Sequence, residues 1–208
     1  GVAPLFCEDK MASPNTPTLQ SELEAVNILL DCVGEAPVNT LNNAGLVDAV
    51  KAQNLLHEVS RHTQLRGWSF NVEKEYVLSL NIDNELPLPN NTLGVKISTT
   101  KYPEINAVQR GLKLYDIKKQ SFTFSTNLEA ALTVFLSWDE LPEVFKKYVT
   151  IRSARIFQDR ILGASELHKF QNQDEYEALI DLKESEGENT DSNVFDNLDS
   201  IRIISRSI

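Results

Sequence analysis

The spacing of apolar residues along this 208-residue chain changes twice, and the two changes limit the folds open to it. Up to about residue 66 apolar side chains recur every three or four positions, which is typical of amphipathic helices. Between residues 68 and 138 they alternate with polar residues, which is typical of strands with one buried face. From residue 139 the helical spacing returns. Because neither pair of helices can bury its apolar face alone, we predict an α+β fold in which helices from both ends form a bundle and a mainly antiparallel β domain is inserted between them.

The first helix has the clearest pattern. Thr18 or Ser21 can cap its start, and Ser21 with Glu24 has the spacing of a capping box. Gly34 can take the left-handed conformation that ends a helix, and Pro37 prevents the helix from resuming. The apolar face is predicted to contain Leu19, Leu23, Val26, Leu30 and Val33.

A second helix is predicted from about Leu46 to Arg66, ended by Gly67. His62 follows its apolar residues, and we expect a core or interface histidine there rather than a metal ligand. Trp68 and Trp138 open and close the alternating region, so we expect them to fill the seam between the two parts. Six short strands are predicted, near residues 68–72, 76–82, 93–97, 112–114, 122–124 and 132–138.

A third helix is predicted in LPEVFKKYVTIRSARIFQDRILG, residues 141–163, with Asp139 as its cap and Pro142 in its first turn. Its apolar residues occupy most of the circumference, so it is expected to be packed on several sides. Gly163 ends it, and Ser165 can cap a fourth helix that fades near Gly187.

These elements divide the chain into four predicted regions. Residues 1–17 form an N-terminal arm, and residues 18–67 with 139–187 form a helical domain. Residues 68–138 form the inserted β domain. Residues 188–208 form an extended acidic C-terminal tail that ends in a strand-like hook, IRIISRSI, suited to pairing with another chain.

Charge and composition argue against several classes of protein. The net charge of −10 opposes nucleic-acid binding, which needs clustered Lys and Arg. No apolar run approaches the roughly 18–20 residues that span a membrane, so no membrane insertion is expected. The N-terminus lacks the basic and apolar segments of a secretory signal. Cys7 and Cys32 are too few for a disulfide framework, which favours a reducing compartment.

The main catalytic and nucleotide-binding signatures are missing from the sequence. It contains no GxGxxG, GxxxxGK[ST], GxSxG, HExxH or CxxC. The histidines lack partners at zinc-ligand spacing, so we expect no metal site and no cofactor. The strongest enzymatic candidate is the carboxylate cluster Asp139, Glu140 and Glu143 beside Trp138, which could hydrolyse a glycoside. The structural interpretation is stronger, because acids gather at helix starts to cap free N–H groups.

Two groups of residues are candidates for contacts between subunits or with a partner. The first consists of basic residues of the third helix, which could pair with a neighbour's carboxylates. The second consists of apolar residues in the terminal hook. The candidates are Lys146, Arg152, Arg155, Ile201, Ile203 and Ile204.

Three stretches together resemble the tail tubular protein A family of short-tailed phages. They are ELEAVNILLDCVGEAPVNTL, RGWSFNVE at residues 66–73, and LPEVFKKYVTIRSARIFQDRILGA at residues 141–164. With the order of elements, the resemblance covers about residues 19–187. The β region is similar in pattern only.

The resemblance implies a structural head-to-tail adaptor rather than an enzyme. It implies a ring of twelve copies between the portal protein and the tail nozzle, tubular protein B. Tail fibre or spike proteins are further implied partners, and DNA would pass through the lumen without specific binding. It also implies a place in the virion tail, with assembly in the bacterial cytoplasm. The residues it carries over are structural: Leu23, Val26, Leu30, Gly34, Gly67, Trp68, Phe70, Phe145 and Tyr148.

Two other functions stay open at this point. A glycan hydrolase, alone or as a second function of a tail protein, would use the carboxylate cluster. A binding module would recognise a ligand through its β insertion and would do so as a lone monomer.

Overall fold

The structure is a computed structural model that describes residues 19–41, 47–163 and 168–195. It confirms the predicted α+β class. The helices are α1 (Glu22–Asp31), α2 (Val47–Gln64), α3 (Glu143–Leu162) and α4 (His168–Phe195). The strands are β1 (Val72–Leu78), β2 (Thr92–Ile97), β3 (Ala107–Arg110), β4 (Lys113–Asp116) and β5 (Leu128–Val134). The arm at residues 1–17 lies outside the described residues, as do residues 196–208.

Helix α1 begins and ends as the sequence indicates. The Ser21 hydroxyl accepts from the Glu24 N–H at 3.2 Å, and the Glu24 carboxylate accepts from the Ser21 N–H at 2.8 Å. Gly34 has φ +78°, the left-handed conformation expected after a helix end. The Asn27 side chain then bonds both the N–H and the C=O of Val38. The Gly-Glu-Ala-Pro-Val stretch is therefore folded back against the helix that precedes it.

The buried face of α1 differs from the predicted face. Leu19 is 63% exposed because it precedes the helix, and Leu23 is only half-buried. The helix packs against both α2 and α3, so its buried stripe is rotated and includes small residues. The buried residues of α1 are Ala25, Val26, Leu29 and Leu30.

Helix α2 buries polar residues near its C-terminal end. His62 is exposed, so the prediction of a core position is wrong, and the alternative of an interface position stays a prediction. The neighbouring Thr63 and Gln64 are buried instead. The buried face thus continues past the apolar residues Leu56 and Val59 into polar ones.

All the strand pairs among the described residues are antiparallel. Strands β1, β5 and β2 form a three-stranded sheet with β5 in the centre, and β3 pairs with β4 in a separate ribbon. Two local predictions were wrong, and one strand was missed. Residues 69–71 form a 3-10 turn, residues 122–124 contribute only an isolated bridge, and β3 was not predicted.

Helices α3 and α4 complete the bundle. Pro142, rather than Asp139, occupies the N-cap position of α3, because residues 138–140 form a 3-10 turn of their own. Helix α4 packs against α3 and continues to Phe195. The fourth helix therefore does not fade near Gly187 but extends into the segment predicted as tail. Ser165 lies outside the described residues.

The described residues form two apolar cores. One is shared by all four helices and includes both tryptophans. The other lies under the sheet and the ribbon and includes Leu86, Leu114 and Leu132. Leu136, in the segment between β5 and α3, packs against both cores.

Candidate assembly surfaces and the junction between the two cores

The junction between the two cores is held by a buried glutamine. Gln64 is fully buried at the end of α2. Its amide nitrogen donates to the Leu136 carbonyl at 3.1 Å, and its amide oxygen accepts from the Leu136 N–H at 2.8 Å. It also donates to the Ser60 hydroxyl at 3.1 Å. One side chain thus satisfies both backbone groups of the residue that touches both cores.

Asn71 forms the second half of this junction. Its amide nitrogen donates to the Gln64 and Val134 carbonyls, each at 3.0 Å, and its oxygen accepts from the Trp68 N–H at 2.7 Å. The end of α2, the turn before β1 and the end of β5 are therefore tied to one buried side chain. Gly67 lies in this turn with φ +73°, and a Cβ there would lie 3.2 Å from Val72.

Aromatic side chains fill the helical side of the junction. Trp68 and Phe70 each meet the ring of Phe145 edge to face, with ring centroids 6.2 and 5.0 Å apart. Trp68 also donates its indole N–H to the Thr63 carbonyl at 2.9 Å. Phe145 is fully buried and Phe70 is partly buried.

Two further contacts connect the segment before α1 and helix α4 to this region. Trp138 donates its indole N–H to the Gln20 carbonyl at 3.1 Å. The Glu186 carboxylate of α4 accepts from the Ser69 N–H at 2.6 Å and from its hydroxyl at 2.8 Å. Tyr148 is buried one turn along α3 from the aromatic cluster.

Gln64 and Asn71 were missed by the sequence interpretation. The available signal was positional: Gln64 lies two helical turns beyond the apolar residue Leu56, with Ser60 between them. A polar residue at such a position must satisfy its amide within the protein, since burial without a partner is costly. Asn71 carries no comparable pattern.

Two of the three carboxylates in the cluster, Glu140 and Glu143, accept hydrogen bonds from backbone N–H groups. Glu140 accepts from the Ser137 hydroxyl at 2.7 Å and from the Ser137 N–H at 2.8 Å, and these hydrogen bonds lower the pKa of Glu140 below its ordinary value. Glu143 accepts from the Gln20 N–H at 3.1–3.2 Å. Asp139 is exposed. A glycosidase needs one carboxyl with a raised pKa to act as a general acid, and Glu140 is shifted the opposite way.

Several basic residues of α3 pair with carboxylates of the same chain. Lys146 is 1% exposed, so it is not available to a neighbouring subunit in this conformation, and its assignment to the interface is corrected. Arg155 binds Glu175 and Asp159, and Arg152 lies 3.3 Å from Glu175. The two pairs with Glu175 fasten α3 to α4, because helices packed side by side bring opposite charges within reach, whereas the pair with Asp159 lies within α3. Ile201, Ile203 and Ile204 lie outside the described residues.

One extended concave surface lies across α1, α3 and α4; we call it the acidic trough. It consists of a cleft of about 460 Å³ between α1 and α3 and a cleft of about 430 Å³ between α3 and α4, which meet at Lys147 and Ile151. Its apolar floor contains Ile28, Val144, Ile151, Ala178 and Ile180. Its acidic rim contains Glu24, Glu143, Asp174, Glu177 and Asp181. Lys147, the one basic lining residue, is paired with Asp181 at 2.9 Å.

The β3–β4 ribbon presents a second exposed surface. The Arg110 guanidinium lies 3.5 Å from the centroid of the Tyr115 ring, and Tyr115 meets Phe122 edge to face at 5.0 Å. Val108 and Ile117 are exposed beside them. Arginine and aromatic side chains in this arrangement are typical of binding hot spots.

Other kinds of site find no support in the described part of the chain. No group of three or more metal-ligating side chains occurs there. None of the helices in those residues is long and apolar enough to cross a membrane. Burial, followed by the neighbouring Asp31 charge, raises the pKa of the Cys32 thiol, which makes it a weak nucleophile at neutral pH.

Comparison with known proteins points to one family. The family model described as tail tubular protein matches residues 23–192. Among curated proteins, the chain is 27% identical over 167 residues to tail tubular protein A of Klebsiella phage KP34. That alignment covers 76% of this chain and 84% of the phage protein. The residues matched by the family model include every strand and the whole junction.

Proposed function

Because the chain belongs to the tail tubular protein family, we propose that it is a head-to-tail adaptor. Membership of the family gives its general role: the chain is a structural protein of a phage tail. In the proposed role, twelve copies form a ring between the portal protein and the tail nozzle. The ring anchors tail fibres or spikes and lines the channel through which DNA leaves the capsid. Assembly takes place in the cytoplasm of the bacterial host.

The observation that carries the proposal is that the family match extends across both cores and the junction between them. An adaptor has to present one surface to its neighbours and another to the tail, at a fixed angle. The buried contacts of Gln64 and Asn71 supply such an angle, since hydrogen bonds are directional whereas apolar contacts are not. The acidic trough lies on the helices and the β3–β4 ribbon lies in the β region, so the two surfaces are available for different partners.

The distribution of charge also supports the proposal. Residues 68–138 contain seven basic and seven acidic residues, so the net charge of −10 arises entirely from the helices and the terminal segments. A ring whose channel is lined by the helical part would repel DNA phosphates and let DNA pass without binding. The proposed lumen is therefore helical.

The contacts of Glu140 and Glu143 do not favour the hydrolase alternative. Glu140 and Glu143 both cap backbone N–H groups, and the pKa of Glu140 is lowered. Glu143→Gln separates the two functions. It would abolish release of glycan fragments from host polysaccharide if the chain were a hydrolase, whereas an adaptor carrying it would still assemble.

The direct test is co-expression of the full chain with the portal and nozzle proteins of the same phage. The chain would carry an N-terminal tag for affinity purification. The proposal predicts that both partners co-purify and that electron micrographs show a twelvefold ring at the tail-side end of the portal. A monomer that captures neither partner would refute the adaptor. If that monomer bound a ligand through the β3–β4 ribbon, the binding-module interpretation would replace it.

A further inference from the structure

We propose that the β3–β4 ribbon of one copy binds the C-terminal turns of α4 of the next copy in the ring. This inference rests on the proposed ring function and specifies one contact within it. A ring of identical subunits needs two different surfaces on each subunit that fit one another. The ribbon is a basic and aromatic surface, and the end of α4 is an acidic one.

Helix α4 extends beyond the helical bundle at its C-terminal end. It runs antiparallel to α3, because Lys147 pairs with Asp181 whereas Arg155, two turns further along α3, pairs with Glu175. The start of α3, four residues before Lys147, is therefore level with a point about four residues beyond Asp181. At about 1.5 Å per residue, residues 186–195 continue for about 15 Å past that point. We call these residues the α4 overhang.

The overhang begins at the junction between the helices and the β region. Glu186 accepts from the N–H and the hydroxyl of Ser69, in the turn that precedes β1. The chain also enters α3 from β5 at this end of the bundle. The overhang therefore extends from the end of the bundle at which the β region is attached.

One face of α4 carries acidic residues into the overhang. Positions 184, 188, 191 and 195 follow one another at spacings of four, three and four, which is the spacing of a single helix face. This face lies opposite the one that holds Leu182 and Glu186, which contact the rest of the chain. Glu184 is exposed, so the face is open at that end. The residues at the four positions are Glu184, Glu188, Asp191 and Phe195.

The composition of the overhang favours a cationic partner. The segment contains no Lys or Arg, and Gly, Asn, Thr, Asp and Ser, which have low helix propensity, make up most of it. Its carboxylates also lie near the C-terminal end of the helix, where the macrodipole is unfavourable to negative charge. A partner that supplies positive charge would therefore stabilise these turns.

The ribbon and its flanking residues supply positive charge beside aromatic rings. Residues 105–123 contain four basic residues and one acid, and that acid, Asp116, is fully buried. Of the four, Lys113 is paired with a carboxylate, that of Glu85. Lys118 donates to a backbone carbonyl, which leaves its charge unpaired. The basic residues without an ion pair in the described part of the chain are Arg110, Lys118 and Lys119.

The exposure of the ribbon excludes the overhang of the same chain as its partner. Val108, Ile117 and Phe122 are 37%, 43% and 37% exposed with α4 of the same chain in place. Because α4 is one continuous helix to Phe195, its overhang is held in position and does not cover the ribbon. The basic residues of α3 do not compete for the overhang of a neighbour, because they are buried or paired within their own chain.

Net charge favours a second copy as the partner. Each copy carries a net charge of −10, so adjacent copies repel one another unless a basic surface of one meets an acidic surface of the next. Contact between ribbon and overhang places such a pair of opposite charges at every boundary of the ring. The exposed apolar residues of the ribbon would be covered in the same contact.

A photo-crosslinker tests the contact in assembled rings. The full chain, with p-benzoylphenylalanine in place of Phe122, is co-expressed with the portal and nozzle proteins, and the purified rings are illuminated. We expect a covalent dimer on a denaturing gel, with peptide mapping placing the link within residues 184–195. The same replacement at Ile82, which is 98% exposed and lies outside the ribbon, is the control and should give no link to α4.

The failure of this inference differs from the failure of the proposed function. Intact rings in which the crosslinker at Phe122 reacts within its own chain, with the portal or nozzle protein, or with no part of α4 would overturn the inference alone. A chain that forms no ring with the portal would overturn the proposed function, and the inference with it.

Charge exchange tests the pairing of the two surfaces. In the crosslinker background, Glu188→Lys together with Asp191→Lys is expected to lower the dimer yield about fivefold, because attraction becomes repulsion. Adding Arg110→Glu and Lys119→Glu to the same chain should restore most of the yield. Failure of the exchanged charges to restore it would refute the pairing.

A matched pair of substitutions controls for the change in net charge. Glu35→Lys together with Asp83→Lys alters the charge by the same amount at exposed positions outside both surfaces. The dimer yield should stay unchanged in this variant. A fivefold loss here as well would show that net charge, rather than contact between ribbon and overhang, controls the yield.

Discussion

Replacing Gln64 by leucine should destabilise the protein more than any other polar-to-apolar change on α2. Leucine has nearly the same volume, so the change removes the amide without opening a large cavity. The Leu136 N–H and C=O then lose their partners at the junction. Each unsatisfied buried backbone group costs about 1–3 kcal/mol, and burial of the added apolar surface offsets about 1 kcal/mol. The expected loss in free energy of unfolding is therefore about 1–5 kcal/mol.

Urea unfolding measures this loss with two probes. Trp68 and Trp138 both lie in the helical core, so their fluorescence reports on that core, and far-ultraviolet circular dichroism reports on the whole chain. For a chain of this size the loss corresponds to a decrease in Tm of roughly 2–20 °C. If the two cores separate in the variant, the two probes will give different midpoints, because the sheet core will no longer unfold with the helices.

Gln53→Leu is the matched control on the same helix. The Gln53 amide donates to the Glu22 carboxylate at 2.9 Å at a partly buried site, and water can replace it there. We expect that variant to lose less than about 1 kcal/mol. If Gln64→Leu lost no more than the control, the argument that the Gln64 amide joins the two cores would be refuted.

Three further predictions concern single positions. Gly34→Ala should lower the free energy of unfolding by about 1 kcal/mol and Gly67→Ala by about 2, because both have positive φ but only Gly67 would also place a Cβ 3.2 Å from Val72. Equal losses in urea unfolding would contradict this. The lowered pKa of Glu140 means that its ionised form stabilises the fold above the ordinary pKa and that this contribution is lost as pH falls. The Tm advantage of the wild type over Glu140→Gln should therefore be present at pH 6 and should shrink as the pH falls through the lowered pKa of Glu140; an advantage that did not change with pH would count against the capping contact. Cys32 should be alkylated more slowly at pH 7.5 in the folded chain than in urea, as measured by peptide mass, and equal rates would show that burial does not suppress the thiolate.

The order of elements could be predicted from the sequence because it depends on periodicity. Apolar residues that recur every 3.6 or every two positions indicate helices and strands before any tertiary contact is known. The capping box at Ser21 and the helix end at Gly34 could also be predicted, because each depends only on residues within a few positions along the chain. Strand β3 was missed because it is short and pairs only with its neighbour in the ribbon. The 3-10 turn at residues 69–71 was read as a strand because Trp68 and Phe70 alternate with polar residues, yet both rings turn toward Phe145.

The surfaces could not be predicted in the same way. The sequence shows that α3 is rich in basic residues but not that α4 supplies their partners, which depends on how two helices pack. Lys146 illustrates the difference. Its neighbours Phe145 and Lys147 are buried and exposed respectively, and only the packing of α3 against three other helices decides which side Lys146 takes. The acidic trough likewise draws residues from three helices, of which α1 is distant in sequence from α3 and α4.

The polar character of the junction has a consequence for assembly. Apolar side chains alone would not fix the angle between the two cores, because apolar contacts are not directional. The amides of Gln64 and Asn71 instead require particular backbone partners on Leu136 and Val134, so a rotation of the sheet would leave buried groups unsatisfied. In the proposed ring, any such rotation would displace each β3–β4 ribbon relative to the helices. Gln64→Met should therefore reduce the fraction of rings that bind the nozzle protein more than it reduces ring formation, and a parallel loss of both would show that the junction serves stability alone.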